Sequence, residues 1–125
     1  QRNLSNRIYS GFAWSPDSRS LAFSSHTRQG RAVIARCDVL KQNTYKELRS
    51  GLVTRGIAWH PDGKRLLFAQ LGSPYRLMTI PATTEEPDNQ SPPEIIPGVP
   101  DTVSAADPVW SPDGKKILFV GSSTR

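Results

Sequence analysis

Residues 59–68 read Trp59-His-Pro-Asp-Gly-Lys-Arg-Leu-Leu-Phe68, and the same ten-residue phrase stands twice more, as Trp14-Ser-Pro-Asp-Ser-Arg-Ser-Leu-Ala-Phe23 and Trp110-Ser-Pro-Asp-Gly-Lys-Lys-Ile-Leu-Phe119. Nothing is inserted or deleted within it. Pro16, Pro61 and Pro112 follow their tryptophan by two positions, Asp17, Asp62 and Asp113 by three, and Phe23, Phe68 and Phe119 by nine. The tryptophans stand 45 and 51 residues apart, a period the size of one supersecondary unit that is copied and stacked on its neighbours. Side chains repeated three times at fixed offsets read as architecture, not as a unique catalytic centre.

Each phrase reads as a hairpin. Proline presets φ at the first central turn position, aspartate bonds nearby backbone amides, and glycine supplies positive φ. Gly63 and Gly114 hold the glycine position, whereas the first copy has Ser18. If the turn needs positive φ, Ser18 is strained by about 1 kcal/mol, or its turn is of another type. The apolar runs Leu21–Phe23, Leu66–Phe68 and Ile117–Val120 follow as strands dense enough for burial on both faces. Third strands are expected at Ala32–Cys37 and Arg76–Ile80, and weaker fourth strands at Thr44–Leu48 and near Glu94–Ile96. Pro, Gly, Ser and Thr interrupt every stretch before a helical rhythm can form. The expected fold is an all-β propeller of four-stranded antiparallel blades, about three of them, in one partial domain over residues 1–125. Its repeats fall at approximately 6–50, 51–100 and 101–125, the last incomplete.

The phrase, W-S/H-P-D-G-R/K-x-L/I-x-F, resembles the repeats of TolB-type β-propellers, WD-like blades of bacterial envelope and peptidase-associated proteins. The resemblance covers nearly the whole chain and is specific for fold more than for function, because propellers carry many unrelated activities. It implies a non-catalytic module that binds a protein or peptide, placed in the periplasm or at the cell envelope. Two other readings stay open: a piece of the substrate-gating propeller of a prolyl-oligopeptidase-like serine peptidase, and the sensory propeller of a bacterial regulator. TolB-type propellers have six blades, so three phrases correspond to about half a ring. Residues 1–5 read as the tail of a preceding blade's last strand, and the final phrase stops after its second strand, as expected of a piece of a longer propeller. An open arc leaves an apolar face at each end. Association of two or more copies, or completion by another chain, is therefore expected.

Of the 125 residues, 36% are hydrophobic and 22% charged, and no apolar run is long enough to span a bilayer. No membrane insertion is expected. The net charge of +5 conceals an asymmetry: residues 1–80 carry thirteen Lys/Arg against four Asp/Glu, and residues 81–125 three against seven. Between Pro81 and Pro108 lie six acids and no base, and the stretch from Ala82 to Pro93 reads as a long surface loop. The basic residues are scattered along the repeats without a recognition helix or an aromatic stacking platform, so nucleic acid is not an expected partner.

The titratable residues are read just as plainly. Asp17, Asp62 and Asp113 serve turns, His60 occupies the position of Ser15 and Ser111, and His26 falls in a polar loop over Ser24–Gly30. Two histidines and the single Cys37 offer no zinc-ligand spacing, and Cys37 reads as a packed thiol. No catalytic residue, cofactor or metal site is assigned. The tryptophans are expected to pack between blades. Candidate partner contacts are Arg28 and Arg31 in the first-blade loop, with Tyr75 and Arg76 at the matching edge of the second.

Overall fold

The computed structural model describes residues 7–27, 29–42, 44–82 and 92–123. They form ten strands and, among the described residues, no helix: β1 (Arg7–Trp14), β2 (Ser20–Thr27), β3 (Ala32–Asp38), β4 (Lys46–Ser50), β5 (Thr54–Trp59), β6 (Arg65–Gln70), β7 (Arg76–Pro81), β8 (Glu94–Ile95), β9 (Val103–Trp110) and β10 (Ile117–Ser123). Sheets β1-β2-β3-β4 and β5-β6-β7-β8 are antiparallel meanders of sequential neighbours, and β9-β10 is a hairpin. The architecture is an all-β partial propeller: two four-stranded blades and a two-stranded one.

Each phrase is the hairpin between a blade's first two strands. The register pairs Trp14 with Leu21, Trp59 with Leu66 and Trp110 with Ile117. Strand pairing puts each tryptophan on the same sheet face as its own phrase's phenylalanine. Ala58 and Leu67, one position away, face the other side. The first cluster joins Ala22, Ile34 and Leu48 of blade one to Ile57, Trp59, Leu66, Phe68 and Ile80 of blade two. The second joins Ala58, Leu67, Ala69 and Leu77 of blade two to Ala105, Trp110, Ile117 and Phe119 of blade three. Small and aliphatic side chains of one blade thus cover the aromatic face of the next. That burial is the main force holding the stack together.

The inner strands β1, β5 and β9 lie side by side, and each bulges before its tryptophan. At the position three before Trp stand Gly11, Gly56 and Asp107. Gly56 has φ +82°, and a Cβ there would fall 2.6 Å from the Asp107 Cα. Only glycine accommodates both the left-handed conformation and this approach.

Two expectations need correction. Trp14 is not packed between blades: it is 58% exposed, against 8% for Trp59. The cause is positional: blade two packs on the opposite face of blade one, and no blade among the described residues packs on this one. Nor is His26 in a loop. Strand β2 continues to Thr27, with His26 half-buried between Ile8 and Ala32 and with Ser24 and Ser25 buried. Backbone pairing on both sides carries the strand through polar side chains that hide it from pattern reading. The acidic stretch over residues 83–91 lies outside the described residues.

Candidate functional site

The blades stack in register, so their loops gather at two rims. Turns 15–19, 60–64 and 111–115 share one: a Cβ on Gly63 would sit 3.9 Å from Pro16 Cδ, and one on Gly114 would meet the His60 ring. The β2–β3 and β6–β7 loops lie at the other.

On the turn rim, the Ser18 amide donates to the Ser15 carbonyl and Gly114 to Ser111 in the same way. Asp17 Oδ1 accepts the Arg19 amide at 3.0 Å and the Ser15 hydroxyl at 2.6 Å, while Ser15 Oγ accepts the Ser20 amide at 2.9 Å. The third copy repeats this with Asp113, Lys115, Ser111 and Lys116. Hydrogen bonding from Ser15 and Ser111 holds Asp17 and Asp113 below the ordinary carboxylate pKa, and for Asp62 the leading cause is the Lys64 amide. Such donors favour the ionised form. These carboxylates close turns, and each is engaged within its own hairpin. Ser18 has φ +61°, next to +79° and +73° at Gly63 and Gly114, so the first turn keeps the glycine geometry without glycine.

His60 departs from the serine pattern in an instructive way. Its Nδ1 accepts the Asp62 amide at 3.0 Å, and its Nε2 faces the Gly114 carbonyl of the next blade at 3.3 Å. Asp62 Oδ1 lies 3.0 Å from the same Nδ1, so a ring proton on Nε2 serves the amide and carbonyl contacts and leaves that carboxylate contact unserved. The ring also stands edge-on to Trp110 at 4.4 Å. In the second copy the indole of Trp59 donates to Gly63 O at 3.0 Å, but in the third that carbonyl is turned to His60, and buried Trp110 Nε1 has no partner among the described residues.

The loop rim carries residues that do not repeat. Arg31 is exposed, with its amide on Thr27 Oγ1 at 3.0 Å. Tyr75 is half-buried against the second cluster. Its amide donates to Ser104 Oγ at 3.0 Å, and its carbonyl accepts the Ala105 amide at 3.1 Å, tying blade two to blade three. Arg76 pairs with Asp101 at 2.9 Å. Leu71, Gly72, Ser73, Pro74, Arg76 and Met78 line an open hollow of about 250 Å³. Arg55 and Asp107, both exposed, approach to 3.8 Å on the inner strands. Asp107 is in the left-handed region at φ +52°. Tyr75 and Arg76 thus share one stretch of rim, and Arg31 belongs to a separate blade of it. Arg28 lies outside the described residues.

Sequence reasoning missed Arg36. Its guanidinium donates to the Ala82 carbonyl and to Ser20 Oγ and lies 4.9 Å from the centroid of the Trp59 ring, clamping blade one to blade two. Nothing local signals a contact between residues 46 positions apart. Asp101 and Asp107 were also missed, although Gly11, Gly56 and Asp107 at one shared offset are a readable sign of a special inner-strand conformation. Among the described residues, no group of three His, Cys, Asp or Glu side chains is placed to hold a metal ion, and no helix is long and apolar enough to cross a membrane.

No family model matches the chain, and no curated protein matches it. Solved structures do. A TolB-type protein of Agrobacterium tumefaciens superposes with a TM-score of 0.73 at 22% identity, over 94% of this chain and 39% of that one. TolB of Acinetobacter baumannii superposes with a TM-score of 0.63 at 25% identity, over 94% of this chain and 27% of that one. The chain spans well under half the length of either. In fold, it is similar to a stretch of blades from a TolB propeller.

Proposed function

We propose that the chain is a non-catalytic binding scaffold, which presents its loop rim to a protein or peptide partner. The observation that carries this reading is the division of labour between the rims. The repeated Asp, Ser and Gly positions build the turns at one rim, and the residues peculiar to single blades, Arg31, Tyr75, Arg76 and Asp101, gather at the other. The hollow beside Arg76 has an apolar side in Leu71, Pro74 and Met78, and at its edge a half-exposed guanidinium that Asp101 engages through Nη1 alone, a combination that suits an extended peptide whose acidic side chain shares that guanidinium. Likeness to TolB propellers supports a partner-binding role in the cell envelope. Panning a random peptide display library against the immobilised chain tests it. The expected result is enrichment of acidic-apolar sequences whose binding falls at least ~10-fold in an Arg76→Glu variant. Enrichment of no sequence family, or binding indifferent to Arg76→Glu and Leu71→Asp together, would overturn the assignment.

A further inference from the structure

At the junction of blades two and three, two donors compete for one carbonyl. In blade two the Trp59 indole donates to Gly63 O, its own turn's glycine carbonyl. In blade three the equivalent carbonyl, Gly114 O, faces His60 Nε2 at 3.3 Å, and the buried Trp110 Nε1 is left without a partner among the described residues. The other ring nitrogen is placed just as pointedly. His60 Nδ1 lies 3.0 Å from the Asp62 amide and 3.0 Å from Asp62 Oδ1, so a donor and an acceptor face the same atom.

A neutral ring therefore has two forms at this junction. With its proton on Nε2 it donates to Gly114 O and accepts the Asp62 amide. With its proton on Nδ1 it donates to the Asp62 carboxylate, and the bare Nε2 then opposes Gly114 O lone pair to lone pair, which frees that carbonyl for the Trp110 indole. A doubly protonated ring has one form only, with Nδ1–H on Asp62 Oδ1 and Nε2–H on Gly114 O. The charged groups around the ring leave Asp62 as its partner. The turn across the junction brings Asp113 and Lys115 to either side of Gly114, with Lys116 next along, but Asp113 is taken by the Ser111 hydroxyl and the Lys115 amide. Arg65, across the hairpin, is held by Thr79 and Glu94, and blade one's turn, with Asp17 and Arg19, approaches Gly63 instead. Asp62 stays ionised well into acid, because the amide of Lys64 above all holds its carboxyl below the ordinary range.

We propose that His60 is an acid-set latch between blades two and three: a second proton on its ring fixes the bond to Gly114 O, and loss of that proton lets the carbonyl exchange between His60 and the Trp110 indole. The proton comes from solvent to Nδ1. There the Asp62 carboxylate replaces the Asp62 amide, which a half-exposed turn leaves to water. The latch belongs to the turn rim and is independent of the role proposed for the loop rim.

NMR of the nitrogen-15-labelled full chain tests it, following the indole N–H signals and the histidine ring nitrogens from about pH 8 to about pH 5. On acidification the Trp110 indole signal should move towards the unbonded range as His60 takes its second proton, while the Trp59 signal stays in place. In His60→Ser, which restores the residue of the other two copies, the Trp110 signal should hold a bonded position at every pH. A charged ring edge-on to Trp110 also shifts that signal, so the variant is joined to Trp110→Phe in a double-mutant cycle read by urea denaturation. Removing the indole N–H should lower the folding equilibrium constant ~5-fold more in the His60→Ser background than with His60 present, and the difference should be larger at the acid end. A Trp110 signal that is constant over this pH range, a response that persists without His60, or additive effects in the cycle at both ends of the range would each overturn the proposal.

Discussion

Ser18 shows how a single residue can carry a geometry that its neighbours assign to glycine. Its φ of +61° places a β-carbon where left-handed backbone costs an L-residue roughly 1–2 kcal/mol, and the turn holds because Asp17 and Ser15 over-determine it. Ser18→Gly removes that strain while adding conformational freedom to the unfolded chain. The net expectation is a stabilisation of about 0.5–1 kcal/mol, read as a higher urea midpoint at unchanged slope. A lower midpoint would mean that the serine hydroxyl makes a bond worth more than the strain. The anomaly was legible in the phrase itself, where serine stands in the slot that the other two copies fill with glycine, and the positive φ decides for strain over another turn type. The role of His60 was only half legible. Its place in the turn followed from alignment with Ser15 and Ser111, but its reach to the Gly114 carbonyl depends on how closely two blades stack.

At the scale of the hairpin, three exposed carboxylates do the same work, and this gives the chain an acid signature. Asp17, Asp62 and Asp113 all have pKa values lowered from the ordinary 3.8 by hydrogen bonds that exist only in the folded turn. A group whose folded pKa lies below its unfolded value contributes stability above the unfolded pKa, and that contribution is lost as pH falls through the two values. Urea midpoints should therefore drop below about pH 4. In a D17N/D62N/D113N variant the fall over this interval should be visibly shallower, since asparagine does not titrate. An identical acid limb in the variant would assign the loss to other groups. The strands flanking these turns were readable because apolar runs and turn residues alternate at a fixed spacing, and β3, β7 and even the short β8 fall where that spacing puts them. Pattern reading failed where burial and polarity part company, as in Ser24, Ser25 and His26 of β2. It failed again for the Arg36 clamp, whose partners Ser20, Trp59 and Ala82 come from two blades.

For the whole molecule, burial is a property of stacking order that no repeat can encode in itself. Trp14, Trp59 and Trp110 are equivalent in the sequence, yet the first is mostly exposed and the second almost wholly buried. Replacing Trp59 by Ala removes an aromatic side chain from the blade one–two cluster and a bond to Gly63 O, and it should cost about 3–5 kcal/mol. Trp14→Ala should cost less than ~1 kcal/mol in dilute protein, because it empties no packed site there. Urea denaturation of the two variants checks the contrast: a loss below ~1 kcal/mol in Trp59→Ala would mean that its site is not packed, and an equal loss in Trp14→Ala would mean that burial does not set the difference.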